Sequence, residues 1–212
     1  MATVELKVYK FPRKDYVIIF IPQLAKVYKT DFETAAVIPS FIKTSDPTFT
    51  SPKKYSFQNC TLIVTNNCNL HCEYCYGEYG EVKNKHVMPF SLAKATIDYI
   101  FQNSKKEAVG LNFFGGEPSL AWELLVASTN YFRKKGLETG KKTVLGITTN
   151  GACASEKAGW MAEKLDKILL SIDGFKTIQD RQRSASFDLV FKNAKIIYKI
   201  APEKLKLRAT IS

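Results

Sequence analysis

The sequence predicts an α/β protein: about five parallel strands alternating with helices, preceded by a small antiparallel β segment. Three observations point to it. From residue 60 onward, short β-branched runs alternate with stretches of helical period. Four of those runs are followed at once by a turn rich in Cys, Gly or Asn: "NNCNLHCEYCYG", "GGEP", "NG" and "DG". Residues 1 to 45 lack this alternation and instead carry short β-type runs separated by turn residues.

Within residues 1–45, "VELKVYKF", "DYVIIFIP" and "AKVYKTD" read as strands of one small antiparallel sheet. Pro12 to Lys14 and Pro22 to Leu24 read as turns, and a short helix starts from Asp31. "TSDPTFTSPKK" has linker composition, so residues 46–59 are taken as a linker and 60–212 as the main domain. There, "TLIVTN" (61–66) is the first strand. Ser91 caps a helix to about Ser104, with Leu92, Ile97, Ile100 and Phe101 inward. "GLNFF" (110–114) is the second strand, and Ser119 starts a helix that runs to Lys135 and ends at Gly136. "TVLGITT" (143–149) is the third strand, followed by a helix from Ser155 to Leu165. "KILLSI" (167–172) is the fourth. A helix from Ser186 to Ile200 places Val190, Phe191, Ala194 and Ile197 on one face, and "KLRATIS" (206–212) is the fifth strand. Strands separated by helices make a parallel sheet with right-handed crossovers. Both faces of its strands are expected to be buried. No further helix or strand follows, so a fold truncated after its fifth strand is the expectation.

Composition is that of an ordinary globular chain: 45% hydrophobic, 12% aromatic, with no low-complexity tract and no apolar run of membrane-spanning length. No signal-peptide core precedes it, so a cytoplasmic location without a membrane partner is expected. The net charge of +11 comes largely from scattered "KK" pairs rather than one basic helix face. A solvated lysine-rich surface is preferred over a nucleic-acid site. Five cysteines, three of them bunched in one loop, make a poor disulfide framework and suit metal ligation.

The chemistry lies in the turns. In a parallel sheet all strand C-terminal ends share one edge, so four separate stretches converge there. Cys68, Cys72 and Cys75 follow the first strand at C-x3-C-x2-C spacing. Two metal readings stay open for this triplet. Zinc wants four ligands, which His71 or Cys60 would complete, although Cys60 begins the strand at its far end. A [4Fe–4S] cluster also wants four, and three cysteines leave one iron open for a small molecule. Gly115 and Gly116 let the backbone approach a ligand, and Glu117 is placed to receive a cationic group. Asn150 can order polar groups at the third strand's edge. Ser171 and Asp173 end the fourth strand, and Arg183 in the following loop suits a carboxylate. A ligand with amino, carboxylate and ribose groups meets this set; S-adenosylmethionine has all three.

At this point the sequence resembles the radical SAM superfamily. Cys68-x3-Cys72-x2-Cys75, "GGEP" (115–118), "TTNG" (148–151), "LSIDG" (170–174) and "RATI" (208–211) carry the resemblance, which covers about residues 60 to 212. "CNLHCEYCY" and "SIDG" make it most similar to the branch with a C-terminal SPASM domain, which includes sulfatase-maturing enzymes and peptide maturases. The resemblance implies a partial (β/α)6 barrel. It implies a [4Fe–4S] cluster on Cys68, Cys72 and Cys75, with S-adenosylmethionine on the fourth iron. It places Gly115, Gly116 and Glu117 at the methionine amino end, Ser171 and Arg183 at the carboxylate and ribose, and Tyr74 near adenine, with Asn150 and Asp173 in the same set. The implied reaction is reductive cleavage of S-adenosylmethionine to a 5′-deoxyadenosyl radical, which abstracts hydrogen from a peptide or protein substrate. Its electron comes from a donor such as flavodoxin or ferredoxin. No general acid or base is assigned. Gln179-Asp180 stands where sulfatase-maturing enzymes carry His-Asp, which argues against that particular substrate. Two alternatives are carried: a radical SAM enzyme acting on a nucleotide or other small molecule, and a non-enzymatic zinc-binding module contacting nucleic acid.

Overall fold

A computed structural model of the 212-residue chain describes residues 4–21, 26–44, 58–77 and 83–211. It divides into two compact units, residues 1–55 and 56–212. In the first, strands β2 (Tyr9–Pro12), β3 (Val17–Ile21) and β4 (Lys26–Thr30) form one antiparallel sheet. Strands β1 (Val4–Lys7) and β5 (Phe41–Thr44) pair separately. Alternation in β3 puts Val17, Ile19 and Ile21 on one face, where they pack with Val8 and with Ala35 of helix α1 (Phe32–Val37). Asp31 caps that helix, its Oδ1 accepting from the Thr34 N–H at 2.7 Å, in keeping with the sequence reading. The single sheet expected here is two, because the stretch "VELKVYKF" is split at the buried Val8, whose N–H bonds Ser40 instead of a strand neighbour. The expected turn at Pro22–Leu24 and most of the linker 46–59 lie outside the described residues.

The second unit runs β6 (Asn59–Thr65), α2 (Phe90–Asn103), β7 (Ala108–Gly115), α3 (Trp122–Thr139), β8 (Lys142–Thr149), α4 (Ser155–Lys164), β9 (Lys167–Ser171), α5 (Lys176–Gln182), α6 (Phe187–Ile200) and β10 (Leu205–Arg208). All five strands are parallel, in the order β10-β9-β8-β7-β6. Each new strand adds beside the last, so right-handed crossovers put every helix on the same face. That face holds the core: Leu62, Val64, Leu111, Phe113, Leu145, Ile147 and Ile168 pack against Ile97, Phe101, Leu125, Phe132 and Met161. Phe101 meets Phe132 at 5.2 Å between α2 and α3, and Trp122 meets Trp160 edge-on at 5.0 Å between α3 and α4.

The strands are therefore not buried on both faces as expected. Ile63 of β6 is 56% exposed, because no helix covers the opposite face. Other local readings change for physical reasons. Ser91 does not cap α2; Pro89 occupies that position, with its φ of −67° already suited to the helix start. Leu92 faces solvent and Ala93 takes the buried position, one residue later in the helical period. Helix α3 does not end at Gly136. Gly136 is buried against Thr143, where a Cβ would lie 2.4 Å from its methyl group, and the left-handed end falls at Gly140 with φ +66°. Phe191 lies outside the buried face of α6. Helix α5 was not anticipated. The fifth strand stops at Arg208 rather than at residue 212, because the Thr210 N–H is taken by the Asp173 carboxylate at 3.0 Å instead of a ladder partner.

Phe113 is fully buried on β7, whereas Leu137 on α3 is 86% exposed. Phe113→Ala is expected to cost about 3–5 kcal/mol of stability and Leu137→Ala less than about 0.5 kcal/mol. Urea unfolding midpoints of the two variants against the parent chain check the difference.

Candidate cofactor site

A cavity of about 250 Å³ opens at the C-terminal ends of the parallel strands. Its wall includes Cys68, Cys72, Tyr74 and Cys75 from the loop after β6, and Gly115 and Gly116 after β7. Asn150 follows β8, Ser171 ends β9, and Arg183 follows α5. Every residue expected in the cluster and S-adenosylmethionine set therefore lines it except Glu117 and Asp173. Phe114, Thr148, Arg208 and Thr210 are also part of the wall. Phe114, Thr148, Ser171 and Arg208 come from the helix-free face, so the cavity exists because the helices cover only one side.

The cysteine loop is anchored at three points. Leu70, between the first two cysteines, is buried with Leu170, Val190 and Ala194 in a small apolar cluster that Cys68 and Cys72 pack against. The His71 N–H bonds Ser184 Oγ at 2.8 Å, and the Glu73 N–H bonds the Gln182 carbonyl at 3.1 Å, tying the loop to the α5–α6 turn. That turn is strained: Ser184 and Ala185 have φ of +56° and +49°. At the loop's base, Thr65 Oγ1 donates to the His86 carbonyl at 2.7 Å and accepts from the Asn67 N–H at 3.0 Å.

The two glycines serve backbone packing. A Cβ on Gly115, whose φ is +142°, would sit 2.1 Å from the Thr65 carbonyl oxygen. One on Gly116 would sit 2.3 Å from the Asn67 carbonyl oxygen. Only glycine brings the β7 turn this close to the cysteine loop.

The carboxylate of Glu117, expected to meet an ammonium group, does not line the cavity. It is fully buried, and both oxygens are engaged inside the chain. Oε1 accepts from the Ser119 N–H at 2.9 Å and from Thr149 Oγ1 at 2.8 Å; Oε2 accepts from the Asn150 N–H at 2.7 Å. Asp173, expected in the cofactor-binding set, likewise does not line the cavity. Its side chain has no exposed surface. It accepts a short hydrogen bond from the Tyr74 hydroxyl, and lies 3.7 Å from Arg183. Arg183 donates in turn to the Tyr74 oxygen at 2.5 Å.

Burial, and then the bond to Asp173, push the Tyr74 phenol above its ordinary range, so the hydroxyl stays neutral between its two charged neighbours. Burial pushes the Cys72 thiol up while the Arg183 guanidinium pulls it down. Burial disfavours the Arg183 charge, but Cys72, Tyr74 and Asp173 outweigh it and the guanidinium is held more firmly protonated than usual. Its Nε is buried and has no hydrogen-bond partner among the described residues.

Some contributors carried no usable sequence signal. Asn193 of α6 is fully buried, and its Nδ2 donates to the carbonyls of Gly151 at 2.9 Å and Cys153 at 2.7 Å, pinning the loop after β8. Gln179 is fully buried: Oε1 accepts from the Asp173 N–H at 2.8 Å, and Nε2 donates to Ser186 Oγ at 3.1 Å. Cys60, on β6, packs with the main core rather than with the three loop cysteines.

The sequence matches the Radical SAM superfamily over residues 62–207. The chain belongs to the radical SAM superfamily. Its cofactors are accordingly a [4Fe–4S] cluster and S-adenosylmethionine, and the zinc-module alternative is set aside. The donor set fits: three thiols of one loop line a single cavity, with a buried arginine whose Nε lacks a partner at its wall. Two curated relatives give the range of similarity. The uncharacterized protein MJ0907 of Methanocaldococcus jannaschii is 34% identical over 116 residues, 54% of this chain and 38% of that protein. GTP 3',8-cyclase 2 of Mycobacterium tuberculosis is 31% identical over 135 residues, 58% of this chain and 35% of that one. This radical SAM chain thus spans little more than a third of the length of either. Among solved structures, native anSMEcpe with bound AdoMet and Cp18Cys peptide superposes with a TM-score of 0.63 at 21% identity, covering 72% of this chain and 43% of that one. Streptococcus suis SuiB bound to precursor peptide SuiA gives 0.56 at 14% identity, covering 97% and 56%. Both likenesses concern the fold. Among the described residues no helix is long and apolar enough to cross a membrane.

Two outcomes test the site's architecture. Glu117→Ala leaves three donors without their acceptor, at roughly 1–3 kcal/mol for each buried group left unpaired. The expected total is at least about 3 kcal/mol, read from the urea midpoint. Cys153 is buried, and burial pushes its thiol up to about 11. At pH 8 only about one thiol in a thousand is then ionised. Peptide mapping after iodoacetamide treatment should find Cys153 unlabelled in folded protein and labelled in urea, with the native labelling rate rising with pH.

Proposed function

We propose that the chain is the S-adenosylmethionine-binding part of an enzyme that modifies a peptide or protein side chain by radical hydrogen abstraction. When bound, the cluster supplies one electron that splits S-adenosylmethionine into methionine and the 5′-deoxyadenosyl radical, which removes the substrate hydrogen. The observation that carries the reading is the meeting of Cys68, Cys72 and Cys75 with Ser171 and Arg183 around one cavity.

In this reading the three thiolates hold the cluster. The backbone of Gly115 and Gly116 meets the methionine amino end. Arg183, kept charged and aimed by Tyr74 and Asp173, takes the carboxylate, with Ser171 beside it at the ribose. The Tyr74 ring lies at the adenine. Glu117 and Asp173 hold these groups from behind. A small one-electron donor such as flavodoxin or ferredoxin supplies the electron. The peptide class draws on the two solved folds that carry a bound peptide and on the SPASM-type motifs "CNLHCEYCY" and "SIDG". A second reading, a nucleotide substrate, draws on the match to the mycobacterial GTP cyclase and on the net charge of +11.

Anaerobic reconstitution of the chain is expected to load about four irons and four sulfides. Alanine at Cys68, Cys72 or Cys75 should abolish loading, whereas Cys60→Ala and Cys153→Ala should not. Stoichiometric zinc without sulfide in protein isolated away from air would sink the reading. Arg183→Ala should keep the cluster and weaken S-adenosylmethionine binding about ten- to hundredfold, as loss of one charged hydrogen-bonding partner costs roughly 1.5–3 kcal/mol. Calorimetric titration reads this directly. 5′-Deoxyadenosine release stimulated by peptides rather than by nucleoside triphosphates separates the two substrate classes.

A further inference from the structure

We propose that Asn150 donates a hydrogen bond to the Cys68 sulfur and thereby sets the reduction potential of the cluster, with Glu117 as the residue that positions it. The proposal rests on the cluster reading above and assigns a role to a contact which that reading leaves unused. Asn150 Nδ2 lies 3.7 Å from Cys68 Sγ. The orientation of the amide is fixed by its other end, since Oδ1 accepts from the Ala152 N–H at 2.8 Å. Nδ2 has two hydrogens. One goes to Asn69 Oδ1 at 3.0 Å, which leaves the other for the sulfur. Asn69 is locked in turn, its own Nδ2 donating to the Ala152 carbonyl at 2.7 Å. The backbone of Asn150 is held by Glu117 Oε2 at 2.7 Å, and the preceding Thr149 hydroxyl by Glu117 Oε1 at 2.8 Å.

The Oδ1 contact alone is an ordinary turn, which serine or aspartate would also make. What a turn does not need is a donor aimed at one of the three cluster sulfurs. A metal-bound thiolate only accepts hydrogen bonds. Each donor stabilises the more negative, reduced cluster and so raises its potential. Asn150 is neutral, so it does this without adding charge to the cavity.

The test is an EPR-monitored redox titration of the reconstituted chain without S-adenosylmethionine, on the parent, Asn150→Ser, Asn150→Asp and Glu117→Gln, with iron and sulfide measured alongside. Serine keeps the turn acceptor but falls short of the sulfur. With the cluster loaded, its reduced-to-oxidised ratio at fixed potential is expected to fall about tenfold, a shift of about 59 mV for a one-electron couple. Aspartate should shift further in the same direction, because it places an acceptor where the donor stood. Glu117→Gln should shift less, because it disturbs only the aim of Asn150. Unchanged potentials in fully loaded Asn150→Ser and Asn150→Asp overturn the inference. Should those variants fail to load, electron–nuclear double resonance on parent protein labelled with 15Nδ-asparagine decides. A coupling between the reduced cluster and an asparagine side-chain nitrogen supports the proposal, and its absence overturns it. A parent protein that holds no iron–sulfur cluster overturns the functional reading instead, and this inference with it.

Discussion

The buried carboxylate of Glu117 ties the cofactor edge of the sheet together. It sits between the turn after β7 and the turn after β8 and accepts from three donors that have no water to turn to. A charge taken out of water costs several kcal/mol unless its lone pairs are met. Here they are met only when both turns hold their present conformation. The constraint spreads outward: the Glu117 N–H bonds the Asn67 carbonyl at 2.8 Å and the Gly116 N–H bonds the Thr65 carbonyl at 2.9 Å, so the cysteine loop joins the same knot. Gly115 and Gly116 are there because any Cβ would push that loop away.

The sheet decides what the knot can face. A strand order that never reverses puts all helices on one side and leaves the other face open. Leu111, Phe113, Leu145 and Ile147 build the core on the covered side. Polar or intermediate residues, Asn112, Thr148 and Ser171 among them, occupy the open side. The cavity forms where this face meets the loops. Stability and chemistry are thereby assigned to opposite faces of the same strands, with the residue period of two sorting one from the other.

That division also explains what the sequence could tell. The five strands from residue 60, the helices between them and the convergence of four motifs follow from periodicity and chain order, and the comparison of folds agrees. Helix α5 carries no apolar stripe long enough to announce it, being only Lys176–Gln182 with Gln179 and Gln182 buried. The choice between Gly136 and Gly140 as a helix end depends on which of them meets Thr143, a contact between elements. The same holds for Glu117. Its position in "GGEP" marks it as important, but nothing in a linear pattern says whether a carboxylate points at a ligand or back at its own chain. Asn193 is more extreme, a buried amide in an otherwise ordinary amphipathic helix, legible only once α6 is seen beside the turn after β8.

The charges at the wall follow a related logic. Arg183 and Asp173 are nearly or wholly buried, yet they lie 3.7 Å apart with the neutral Tyr74 hydroxyl between them. A direct two-point ion pair would consume the guanidinium. Routing one arm through tyrosine satisfies the aspartate, fixes the ring at the cavity wall and leaves the Arg183 Nε without a partner among the described residues. An unmet buried donor costs free energy. The same tyrosine belongs to the loop that carries the three cysteines. The position of the guanidinium and the placement of the three thiols are in this way mechanically coupled.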